Sequence, residues 1–260
     1  MAPTETAAVP LSPFGASLTA DEAAELAPAE LLALTRREKV LLVRGAEPLD
    51  RDAFLSWCRS FPGPGLLEWS FGPVMEMRED PKAANYLFSR EAVPFHWDGA
   101  FHRVPSFLAF NCVEAPRPGA GGETLFCDTT RLWAACAPTE RAALSRVTLT
   151  FETRRLAHYG GQVTGPLVQT HPATGETVLR LAEPVETALN PVARRASGLP
   201  PAELDSLLAE LTRRAYDPAF CLAQRWRPGD LLLADNHALI HGRRAFAQDC
   251  PRHLRRIQLL

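Results

Sequence analysis

The sequence has little that would direct it to a membrane, a secretory route or a polyanion. Its 260 residues hold no apolar run near the roughly 18 that a membrane-spanning helix needs. The first basic residue is Arg36, so the opening stretch has neither the charged start of a signal peptide nor the arginines of a transit peptide. A formal net charge of −2 provides no electrostatic footprint for nucleic acid or anionic lipid. The 6 cysteines include no Cys-x-x-Cys pair, which excludes a zinc knuckle and a dense disulfide framework. Reduced thiols in a cytoplasm fit that pattern. No internal repeat is visible. The expectation is a cytoplasmic protein with a small-molecule partner, no nucleic acid and no membrane; the oligomeric state is left open.

What is present is one continuous globular pattern. Residues 1–20, rich in Ala, Pro, Thr and Ser, read as a flexible N-terminal arm, and 21–260 as a single domain. Thr19 with Glu22 signals a helix start, and helical segments are expected over 20–36, 49–60, 129–145 and 200–216. Apolar runs at 39–45, 106–113, 147–155, 231–234, 237–241 and 252–260 read as strands. The Gly- and Thr-punctuated stretch 158–177 reads as a loop able to cover a cavity. Many short strands interrupted by a few helices predict a mainly β sandwich or barrel with helices packed outside.

Three elements carry chemistry. In His96-Trp97-Asp98 an extended backbone brings an imidazole and a carboxylate to one face. His241 follows an Arg-Pro-Gly-Asp turn, an apolar strand and an Asp-Asn turn; in a strand, His237, Leu239 and His241 share a face. Two histidines and one carboxylate with open positions form the facial triad of non-haem Fe(II) oxygenases, although zinc accepts the same ligands. Arg252-His-Leu-Arg-Arg256, read as a strand, puts Arg252, Leu254, Arg256 and Gln258 on one face. A hairpin at about 242–251 would return these guanidiniums beside the metal, suited to a carboxylate. His102, His171, His237 and His253 are read as structural.

Together with Gly121-Gly-Glu-Thr124, Gly229-Asp230, Asp235-Asn236 and Thr170-His-Pro-Ala-Thr-Gly175, these motifs resemble the TauD/TfdA family of Fe(II)/2-oxoglutarate-dependent dioxygenases. Their order and spacing, from about Val40 to the C-terminus, carry the resemblance. The wording around Val93–Phe101 and His158-Tyr-Gly-Gly161 is similar to family members that oxidise amino acids or their derivatives in natural-product pathways, including isonitrile-pathway enzymes. The resemblance implies a double-stranded β-helix, a cupin-like jelly roll with flanking helices. It implies Fe(II) held by His96, Asp98 and His241, with 2-oxoglutarate and O2 as co-substrates. Arg252, helped by Thr124, would grip the far carboxylate of 2-oxoglutarate; Arg256 would support it or bind an anionic group of the substrate. Trp97, His158, Tyr159 and Gln162 are candidate substrate contacts. Because Asp98 is a carboxylate rather than Gly or Ala, the resemblance implies C–H oxidation (hydroxylation, desaturation or ring closure) of a small carboxylate, rather than halogenation. Two other classes are compatible with the residues: a non-catalytic cupin-like module binding a small acid, and a zinc hydrolase, which has no use for the arginines.

Overall fold

Strand Val40–Arg44 is apolar on both sides because both of its faces are covered. Val40 and Leu42 point into a core between two sheets, with Leu108, Phe110, Phe126 and Leu232. Leu41 and Val43 point the other way, against Leu31 and Leu34 of helix Pro28–Glu38 and Phe54 of helix Arg51–Arg59. The same alternation runs through Leu231–Asp235 and Phe107–Glu114, so the central strands read as continuous apolar runs. The computed structural model describes residues 8–63, 65–82, 85–156 and 159–260.

The larger sheet has 7 strands in the order Val9–Pro10, Ala16–Thr19, Val40–Arg44, Leu231–Asp235, Phe107–Glu114, His253–Leu259, Met75–Met77. Facing it is a 4-stranded sheet in the order Cys221–Gln224, Thr124–Asp128, Leu239–Arg243, Val93–His96. The two layers form the jelly-roll sandwich of a double-stranded β-helix. Helix Pro201–Ala215 lays Leu204, Leu208 and Leu211 on the outside of the smaller sheet. A further 3-stranded sheet, Val192–Ser197, Thr148–Leu156 and Tyr159–Pro166, flanks one end of the sandwich.

Four local readings need correction. The described part of the N-terminal arm is not loose: Ala16–Thr19 pairs in parallel with Val40–Arg44, and Phe14, Ala16 and Leu18 are buried. Prolines divide two of the expected helices, giving Ala20–Ala24 and Pro28–Glu38, then Thr129–Ala134 and Pro138–Leu144, because the residue before proline avoids the helical basin. The 158–177 stretch is largely strand rather than loop, with Tyr159–Pro166 and Val168–Thr170 both paired. Finally, His253–Leu259 does not return as a hairpin partner of Leu239–Arg243. It crosses to the opposite sheet, between Phe107–Glu114 and Met75–Met77, and presents its even-numbered side chains across the sandwich.

Because Leu18 is 1% exposed and packs in the cluster with Leu41 and Phe54, Leu18→Ala is expected to lower unfolding stability by about 2–5 kcal/mol in urea titrations. An unchanged midpoint would mean that the first strand is not part of the cooperative fold.

Candidate metal and substrate site

His96 ends strand Val93–His96 and sits directly opposite His241 of strand Leu239–Arg243. Their ring centroids are 4.3 Å apart. The pairing slips just beyond them, where Pro94 has no N–H to give, forming a bulge that aims both rings inward. Gly242 passes so close to the neighbouring strand that a Cβ would lie 2.7 Å from the Val93 carbonyl oxygen. Asp98 follows in a loop clasped by Asn236. The Asn236 carboxamide accepts from the Asp98 N–H at 3.0 Å and donates to the Asp98 and Pro105 carbonyls at 3.1 and 2.9 Å.

The Asp98 carboxylate is held from the other sheet. Arg256 Nη1 lies 3.1 Å from Oδ1 and 2.9 Å from Oδ2, and Gln258 Nε2 donates to Oδ2 at 2.6 Å. The Gln258 amide has one workable orientation, since its Oε1 accepts from the Trp69 indole N–H at 3.1 Å. Oδ1 is left facing both imidazoles, 3.7 Å from His96 Nε2 and 3.7 Å from His241 Nε2.

Protonation favours a cation among these three groups. Burial, then the neighbouring His96, pushes His241 down to about 3. Burial also lowers His96, whose Nδ1–H donates to the Pro94 carbonyl at 2.9 Å and leaves Nε2 bare. For Asp98, burial alone would raise the carboxyl, but Arg256, both histidines and Gln258 together hold it below the ordinary carboxylate value. At neutral pH the set is two neutral imidazoles and a carboxylate, all ligand atoms lying within 4.8 Å of one another. His241 Nε2 is buried and has no hydrogen-bond partner. An orphaned ring nitrogen of a neutral imidazole, aimed at a carboxylate, fits a divalent metal.

Beside this cluster, Arg252 donates from Nε to the Gly122 carbonyl at 2.8 Å and from Nη2 to Thr124 Oγ1 at 3.1 Å. Thr124 Oγ1 also accepts from the Trp226 indole at 2.9 Å. With two donors already directed at that oxygen, its own proton is available for an outside acceptor. Burial, then the nearby Arg243, lowers Arg252 to about 9, and no carboxylate of the described residues pairs with it. Buried cations of this kind are costly unless an anion joins them. Thr124, Arg252 and His241 line one small cavity.

A larger cavity of about 360 Å³ opens above His96 and Asp98 and is walled by aromatic rings, among them Trp69, Phe71, Tyr86, Phe101 and Phe151. Trp97 belongs to this wall, edge-on to Phe151 at 5.4 Å between centroids. Arg256 reaches it, though its charge is already directed at Asp98 and its Nη2 at the Met75 sulfur. Gln162 faces solvent on the outside of its strand, where it accepts from Arg195, while the next residue, Val163, turns inward; the expected substrate contact is not made there. Tyr159 is placed by its backbone as the first residue of strand Tyr159–Pro166, and His158 lies outside the described residues. His237 is in the turn before Leu239, not on the strand with His241. Sequence reading missed Gln258 as a site residue, although its two-residue spacing from Arg256 carried the signal. It also missed the Trp69, Phe71 and Tyr86 wall, which comes from an irregular segment with no periodicity, and His102, which lines the cavity rather than packing away from it.

The family model for taurine catabolism dioxygenase TauD, TfdA family, matches residues 7–258. The chain is similar to 3-((Z)-2-isocyanoethenyl)-1H-indole synthase of Fischerella ambigua, at 41% identity over 96% of this chain and 94% of that protein. It is 38% identical to tyrosine isonitrile desaturase of Pseudomonas aeruginosa, over 88% of this chain and 80% of the other. Among solved structures it superposes on PvcB from Pseudomonas aeruginosa with a TM-score of 0.79 and 33% identity, covering 95% of this chain and 86% of that one. Another PvcB structure, described as an Fe, alpha-ketoglutarate dependent oxygenase from an isonitrile synthetic pathway, gives a TM-score of 0.77 with the same identity and coverage.

His241→Ala is expected to abolish Mn(II) binding in calorimetric titrations. Asp98→Ala should do the same and also strip the buried Arg256 of its counter-ion, costing the metal-free fold about 3–5 kcal/mol in urea, well beyond the loss from His241→Ala. Equal losses from the two changes would show that Arg256 does not depend on Asp98.

Proposed function

This chain belongs to the TauD/TfdA family of iron- and 2-oxoglutarate-dependent dioxygenases, and from that premise we propose that it desaturates an isonitrile derived from an aromatic amino acid. The observation that carries this reading is the placement of the two bare imidazole nitrogens and the Asp98 carboxylate at the floor of an aromatic-walled cavity. The product named for the Fischerella relative bears an indole ring, an isocyano group and a carbon–carbon double bond. A flat aromatic side chain matches walls built from Trp69, Phe71, Tyr86 and Trp97.

In this reading His96, Asp98 and His241 hold Fe(II). Arg252 and the Thr124 hydroxyl hold the far carboxylate of 2-oxoglutarate by charge-assisted bonds. Bound iron would supply the oxidising power: the substrate acid loses two hydrogen atoms, 2-oxoglutarate leaves as succinate and CO2, and the remaining oxygen atom of O2 leaves as water. Both hydrogens come from carbon where the carboxylate is kept; where the product is a carboxyl-free alkene like that named for the Fischerella relative, one comes from carbon and the other is the acid proton, with the carboxyl leaving as CO2. Arg256 and Gln258 keep Asp98 turned toward the histidines, so the carboxylate cannot swing away as a substrate enters. The aromatic wall orients the side-chain CH2 toward the floor and keeps water from it. A zinc hydrolase would leave the Arg252–Thr124 cradle without a purpose, and a passive binding module would leave the three-ligand cluster without one. The proposed setting is the cytoplasm, supported by the six free cysteines.

Arg252→Ala is expected to raise the KM for 2-oxoglutarate by roughly 10- to 100-fold or more, and Thr124→Val by a smaller factor, corresponding to about 1 kcal/mol. Unchanged co-substrate affinity in Arg252→Ala would remove it from this role. For the function itself, the isonitriles of tryptophan and tyrosine should support succinate release and yield alkenes free of label under 18O2. Coupling confined to 2,4-dichlorophenoxyacetate or a sulfonate, or products that carry 18O, would contradict the proposal.

A further inference from the structure

Arg180 is a second buried guanidinium with no ion-pair partner among the described residues. It is 7% exposed, and burial lowers it to about 10 despite the nearby charge of Asp235, which is itself paired with Arg36 and His171. No carboxylate of the described residues forms an ion pair with Arg180. Nη1 donates to the Asn236 carbonyl at 2.9 Å and Nη2 to His237 Nδ1 at 2.7 Å; its other N–H groups find no acceptor among the described residues. Arginine only donates, so His237 Nδ1 must accept, which puts the ring proton on Nε2 as another donor.

The contrast with other buried arginines is informative. Arg243 is likewise lowered to about 10, but both of its terminal nitrogens are met, by the carbonyls of Leu87, Ser89 and Glu91, leaving only Nε without a partner. Arg252 has two protein acceptors and an unmet charge, and it faces the proposed 2-oxoglutarate carboxylate. Arg180 follows the pattern of Arg252.

Arg180 and His237 also line a cavity of about 330 Å³, distinct from the one above the metal cluster. Trp97 and Phe151 form a wall common to both cavities, and the Arg180 guanidinium lies 5.7 Å from the Trp97 ring centroid. Leu149 and Val163 add apolar lining, Thr164, Gln169 and Thr170 add neutral polar lining, and no acidic side chain lines it among the described residues. A cation and an imidazole donor set among apolar and aromatic groups suit an organic anion with a ring.

We propose that the cavity behind Trp97 is a second carboxylate-binding site, in which Arg180 and His237 hold the carboxylate of an aromatic acid and Trp97 and Phe151 pack its ring. The acid is either the primary substrate, reaching across the shared wall, or a separate molecule.

Indole-3-acetate, an indole carboxylate with no isonitrile, is the probe. It is titrated calorimetrically into the full chain loaded with Mn(II) and 2-oxoglutarate. Saturable binding with a Kd below about 1 mM is expected, weakened about tenfold or more by Arg180→Met and only partly by Arg180→Lys. The 2-oxoglutarate affinity of both variants, expected to match wild type, reports that the fold and the first carboxylate site persist. Equal probe affinity in Arg180→Met, or no saturable heat with wild type up to about 10 mM, overturns the proposal. In turnover assays, a raised KM for the isonitrile acid in Arg180→Met assigns the site to the substrate's carboxylate. An unchanged KM alongside lost probe binding assigns it to a separate acid. Probe binding requires no turnover, so failure of the desaturase reading would leave this test intact.

Discussion

The contact between Arg256 and Asp98 joins the two sheets beside the proposed metal centre. The carboxylate belongs to a loop leaving the smaller sheet, and the guanidinium comes across the sandwich from the larger one. Burying either charge alone would be costly, so each fixes the other, and Gln258 takes up the oxygen turned away from the histidines. The rest of the site follows from that constraint. His96 and His241 are in register opposite one another, and Asn236 pins the Asp98 backbone. The three ligand atoms converge without help from any helix.

Much of this was legible because a strand repeats every two residues. That period puts Arg252, Leu254, Arg256 and Gln258 on a common inward face, whereas Asp98 joins His96 from the loop after the strand, which Asn236 holds. The period does not reveal which sheet a strand joins. The same facing side chains are compatible with a hairpin or with a crossing to the opposite layer, and the crossing is what occurs. His237 was misplaced for a related reason. The Asp235 side chain accepts the His237 and Ala238 N–H groups and extends the turn by two residues, so the strand begins at Leu239. The aromatic wall was illegible because Trp69, Phe71 and Tyr86 come from a segment whose order depends on tertiary contacts, such as that of Trp69 with Gln258.

Buried charge is distributed unevenly in this interior. Asp98 and Asp235 each have partners, and the terminal nitrogens of Arg243 are met by carbonyls. Arg252 and Arg180 are not balanced in this way, and each lines a cavity. A fold retains such groups at a cost in stability, which an arriving anion offsets. The same holds for the bare nitrogens of His96 and His241, which a metal would satisfy. These particular unmet groups match the ligands proposed for the protein: a divalent cation and carboxylates.

The most direct test is anaerobic absorption spectroscopy of the chain with Fe(II), before and after 2-oxoglutarate is added. A visible metal-to-ligand charge-transfer band should appear with wild type, vanish in His241→Ala, and require far more 2-oxoglutarate in Arg252→Ala. Stoichiometric Fe(II) binding by wild type with no such band at saturating 2-oxoglutarate would contradict the assignment of the cluster and its neighbouring cradle to one catalytic centre.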